Sequence, residues 1–102
     1  MTAIHEFSAT ELAEQYRRGA LSPVEAATGQ LARIDAWEPK LNAMYRLDRG
    51  GALAQARAAE ARWRAGAPLS GLDGVPVTLK ENIATRGDPA PIGTRANEDA
   101  SP

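Results

Sequence analysis

The stretch "LSPVEAA", Leu21 to Ala27, leaves its residues little freedom of conformation. The Ser22 hydroxyl can accept an orphan N–H of a helix's first turn. Pro23 stands at the first helical position, where a missing N–H costs nothing, and Glu25 is placed for its carboxylate to reach back to the serine. Downstream, Val24, Ala27, Leu31 and Ile34 recur at three- and four-residue spacing and Trp37 extends the stripe. Pro39 predicts the end of this helix at Glu38, and Gly29 within it costs about 1 kcal/mol relative to alanine.

The same grammar opens an earlier helix. In "FSATEL", Ser8 and Glu11 form a second capping box and Phe7 can staple onto Leu12; the helix stops at "RRG", with Gly19 free to turn left-handed. A third helix is expected across "GALAQARAAEARWRAG". Leu53, Ala56, Ala59 or Glu60 and Trp63 share one side, Arg57, Arg62 and Arg64 form the wet face, and Gly66 and Pro68 close it.

Two segments alternate as strands do. "LNAMYRL", Leu41 to Leu47, places Leu41, Ala43, Tyr45 and Leu47 on one face; "VPVTLK" sends Val75, Val77 and Leu79 one way and Pro76, Thr78 and Lys80 the other. From Thr85 onward three prolines and no usable period read as an extended loop. The expected organisation is a single partial domain over 1–102: mainly helical over 1–66, a loop, strand and turn carrying the lysine over 67–86, and an extended tail over 87–102. Two short strands do not make a stable sheet, and close to half of the 43% apolar residues are alanine. The expectation is therefore a chain that is incomplete as a stand-alone domain.

Charge and composition exclude several classes of function. Twelve basic residues are scattered among 13 acidic ones, net −1, which argues against the concentrated basic face of a nucleic-acid binder. With no cysteine there is no disulfide, thiolate metal site or thiol nucleophile, and the lone His5 reads as a solvated side chain. No run approaches the ~18 apolar residues of a membrane span. The setting expected is cytoplasmic, with no membrane, metal or cofactor.

Spacing alone makes Lys80 a surface charge at the end of a strand. The ordered run "LDGVPVTLKENIATRG", however, resembles the start of the amidase signature family: a Gly-Val-Pro turn, a strand ending Lys-Glu-Asn, then a Thr-x-Gly turn. The capped first helix, the Ser-Pro-x-Glu start of the second, the "LNAMYRL" segment and the alanine-rich third helix are similar to the N-terminal layout of the same family.

The resemblance implies an α/β fold several times longer than this chain, to which these residues contribute three helices and two short strands of a mixed central sheet. It implies hydrolysis of an amide carbon–nitrogen bond by a Ser-Ser-Lys triad without cofactor, acting on a small-molecule amide, and it admits a homodimer of the full-length enzyme. Lys80 matches the family lysine. Ser70 and Ser101 lack the glycines that surround the family serines, so the 102-residue chain alone is expected to be inactive. A lysine serves as base only when neutral; its free pKa of ~10.4 falls by as much as ~3–5 units when it is buried. By this reading Val77 and Leu79 anchor Lys80 in a dry wall, and Asn82 either positions the strand end or simply forms a turn. "GDPAPIGTRA" departs from the threonine-rich turn of many members, which leaves the subtype open. Two alternatives stand: a non-catalytic helical module or remnant docking through Val24, Leu31 and Ile34, and a subunit of a transfer-RNA-dependent amidotransferase.

Overall fold

The structure is a computed structural model and describes residues 3–44 and 46–79. A single 3-10 turn, Ile4–Glu6, leads into α1 (Ala9–Arg17), α2 (Pro23–Leu41) and α3 (Arg49–Arg64). Both expected capping boxes close. Ser8 Oγ accepts the Glu11 N–H at 3.1 Å and Glu11 Oε1 accepts the Ser8 N–H at 2.8 Å, while Ser22 and Glu25 make the same exchange at 3.1 Å each way. The Ser8 amide also holds the Glu11 carboxyl below its usual pKa. At their far ends α1 and α3 stop alike: Gly19 and Gly66 take positive φ, and the next residue's N–H returns to Gln15 and Arg62 respectively.

Two helix boundaries differ from the sequence expectation. α2 does not stop at Glu38 but runs through Pro39 to Leu41. The hydrogen bond that proline removes falls in the last turn, and left-handed Asn42 then ends the helix with its N–H on the Glu38 carbonyl at 2.7 Å. α3 begins at Arg49, because Asp48 caps it by accepting the Gly51 N–H at 2.9 Å.

The two expected strands are absent among the described residues. Leu41 is helical, 42–44 and 46–48 are irregular, and Val75 to Leu79 belong to no sheet. Alternation supplies a face, whereas a strand exists only through hydrogen bonds to a neighbour, and the described residues of the two segments do not pair. The described portion of the chain is therefore all-helical, and the α/β description is corrected for it.

Packing centres on α2 against α3. Among the buried apolar residues Leu12, Ala13, Tyr16, Ala26, Ala27, Ala56 and Ala59, five are alanines, so the helices approach closely with little bulk between them. Ile4, Phe7, Leu21, Trp63 and Val75 pack around Leu12, Tyr16 and Ala26. Gly29 has its reason here: a Cβ on it would stand 2.9 Å from Ile4 Cδ1, so the glycine lets the N-terminal turn lie on α2. The expected stripe is displaced, since α2 buries Pro23, Ala26 and Ala27 while Val24, Leu31 and Ile34 are half-buried and Trp37 is exposed between Arg33 and Lys40. Arg49 and Asp35 tie α3 to α2 by an ion pair. Among the described residues no helix is long and apolar enough to cross a membrane.

Candidate functional site

The candidate site is the turn that launches the lysine-bearing segment. α3 ends and the chain doubles back through Leu69 to Gly74; the Ser70 hydroxyl accepts the Leu72 N–H at 3.1 Å, and the Val75 N–H reaches the Leu72 carbonyl at 3.1 Å. Three consecutive residues are then held by all three helices. From α3, Arg62 donates twice to the Asp73 carboxylate, at 2.6 and 2.7 Å, and the Trp63 indole N–H donates to the Asp73 carbonyl at 2.7 Å. From α1, the Tyr16 hydroxyl donates to the Gly74 carbonyl at 2.9 Å. From α2, Pro23 lies so close to Gly74 that an added Cβ would stand 2.8 Å from its Cγ and 3.0 Å from the Ala59 Cβ of α3. Gly74 itself has φ +85°, a conformation that L side chains rarely adopt. Val75 completes the grip by packing on the core cluster.

The electrostatics follow from this geometry. The Asp73 side chain is 6% exposed. Paired with Arg62, and accepting the Leu69 N–H at 3.0 Å as well, its carboxyl is held down at about 2. Arg62 is pushed up from its ordinary value by the same hydrogen bonding. Burial beside Trp63, with ring centres 6.1 Å apart, pushes the Tyr16 phenol up to about 12. Tyr16 is therefore a neutral donor across the ordinary pH range.

Beyond Val75 the support stops. Val77 is 78% and Leu79 60% exposed, so no described residue forms the dry wall expected of them. Lys80, Asn82 and Ser101 lie outside the described residues. The hydroxyls of Ser8, Ser22 and Ser70 are engaged with backbone N–H groups at helix starts and in the turn. No group of acidic or histidine residues able to hold a metal occurs among the described residues.

Sequence reasoning missed Asp73, Arg62, Trp63 and Tyr16 as one unit. Arg62 was expected on the wet face of α3, but its partner lies 11 residues on, across the helix end, and Tyr16 is 58 residues from Gly74. No periodicity joins such positions. The one local signal was the buried-side Trp63 beside a charged neighbour, followed by an Asp-Gly turn.

A family model described as Amidase matches residues 25–102. A glutamyl-tRNA(Gln) amidotransferase subunit of Myxococcus xanthus is 46% identical over 88 residues, covering 86% of this chain and 18% of that protein. The protein of the same name from Streptomyces coelicolor is 39% identical over 98 residues, 96% of this chain and 20% of its own length. That of Salinispora tropica is 40% identical over all 102 residues, 21% of its length. The chain thus spans about a fifth of the length of these curated relatives.

Proposed function

The chain belongs to the amidase family, and on that premise we propose that residues 1–102 are part of a catalytic domain that cleaves an amide carbon–nitrogen bond, with Lys80 as its base. The observation that carries this reading is the gripped turn Asp73-Gly74-Val75, which gives the segment running into Lys80 a fixed starting point on the helices. A reactive amine needs a defined position more than a surface charge does.

In the proposed reaction the Lys80 Nζ, neutral, takes a proton relayed from a nucleophilic serine hydroxyl through a bridging serine as that oxygen attacks the amide carbonyl. The proton then returns to the leaving nitrogen, and water releases the acyl group. The exposed Val77 and Leu79 require apolar cover before Lys80 can lose its proton near neutral pH. In this proposal the rest of the domain supplies that cover together with the serines, and the setting is cytoplasmic.

The names of the relatives favour one specialisation: a subunit that releases ammonia from an amide donor for transfer to an aminoacylated transfer RNA, working with partner chains. Docking through Val24, Leu31 and Ile34 has less support, because these side chains are half-buried. The test joins residues 1–102 to the rest of an amidase domain and follows amide hydrolysis and amide-nitrogen transfer. Activity lost in Lys80→Ala supports the proposal, and full activity in that variant overturns it.

A further inference from the structure

The grip on the turn has a mechanical consequence for whatever follows it. An extended chain advances about 3.3 Å per residue, so five residues of it reach at most about 17 Å from an anchored point. Where such a segment is held extended, a swing of about 10° at its first residue moves its far end by about 3 Å, whereas a misplacement of about 1 Å can cost a catalytic group ~10²-fold in rate. Direction at the turn therefore matters more than its bare existence.

Asp73 is the residue through which that direction is set. Its carboxylate is fixed by both nitrogens of the Arg62 fork and by the Leu69 N–H, and its carbonyl by Trp63, so the peptide plane entering Gly74 has little rotation left. Tyr16 holds the next carbonyl from a different helix. Pro76 to Leu79 are exposed, so within the described residues the anchors at 73–75 are the last before the lysine. We propose that Asp73 is a positioning residue: gripped by Arg62 and Trp63, with Tyr16 on the neighbouring carbonyl, it aims the segment that carries Lys80. The consequence for activity rests on the reading of Lys80 as the base; the geometric claim does not.

Because the chain has no cysteine, introduced thiols can be labelled uniquely. Spin labels on Thr28→Cys of α2 and Val77→Cys, both exposed positions, report the direction of the segment; Thr28→Cys with Ala58→Cys reports the α2–α3 pair alone. The expected result is a narrow 28–77 distance that broadens in Asp73→Asn while the 28–58 distance stays fixed. Tyr16→Phe, which removes one hydrogen bond and keeps the ring, broadens the 28–77 distance less. A 28–77 distribution unchanged in Asp73→Asn overturns the proposal. Should Asp73→Asn also lose the 28–58 distance, Tyr16→Phe decides, and an unchanged 28–77 distance in it overturns the proposal equally.

In a protein that continues residues 1–102 into a whole amidase domain, Asp73→Asn is expected to lower kcat by roughly 10- to 100-fold with KM little changed. Full activity in Lys80→Ala refutes the base assignment and leaves the distances to judge Asp73. A dead Lys80→Ala beside an Asp73→Asn with normal kcat and distances refutes the positioning role alone.

Discussion

Arg62 and Asp73 join the last turn of α3 to the loop beyond it through two parallel hydrogen bonds, and the carboxylate they share is almost wholly covered. Removing one member leaves the other charge without its partner in a partly dry place. Asp73→Asn is expected to cost about 1.5–3 kcal/mol, the range for hydrogen bonds to charged groups. Denaturant unfolding followed by helical circular dichroism measures it, and a change below about 0.5 kcal/mol contradicts the pair's structural role.

The same carboxylate gives stability a pH dependence of definite sign. Its pKa is lowered from 3.8 to about 2 on folding, so its contribution is complete above pH 3.8 and is lost as pH falls toward 2. The melting temperature of the parent should drop through this window more steeply than that of Asp73→Asn. Parallel curves for the two proteins contradict the assignment.

Gly74 and Gly71 separate close approach from mere flexibility. Alanine at Gly74 meets both a positive φ and contacts of 2.8–3.0 Å with Pro23 and Ala59, whereas nothing lies within 4 Å of a Cβ on Gly71. Gly74→Ala is expected to cost about 2–5 kcal/mol, the sum of left-handed strain and overpacking, and Gly71→Ala less than about 1. Equal melting temperatures for the two variants contradict the packing described.

Much of this was legible in the sequence, and the limits have physical causes. Ser8, Glu11, Ser22 and Glu25 signal their helices because a capping box is a contact between residues three apart, complete within one turn. Pro39 misled because its cost depends on how much helix follows it, and only two residues do. Val75 to Leu79 alternate like a strand, yet a strand needs a neighbour that α1 to α3 do not supply. The Tyr16 to Gly74 contact joins distant stretches of chain that only the packed helices bring together, so it was invisible before the fold.

The Tyr16 phenol offers a high-pH counterpart. Burial raises its pKa from 10.0 to about 12, so the stabilisation it reflects is present below pH 10 and is lost as pH rises through about 12. In Tyr45→Phe, which leaves Tyr16 as the remaining tyrosine, ultraviolet titration should show the phenolate appearing well above the ordinary value. Titration near 10 while the helices remain folded contradicts the buried hydrogen bond to Gly74.

Lys80 decides whether this segment supplies the base of an amide-cleaving site. In a protein carrying residues 1–102 within a whole amidase domain, the most direct measurement is kcat/KM for amide hydrolysis in Lys80→Ala and Lys80→Arg beside the parent. Arginine keeps the charge but cannot become neutral, so both variants are expected to lose roughly 10²- to 10⁴-fold, the scale of general-base catalysis. Activity within a few-fold of the parent in either variant would contradict the base assignment.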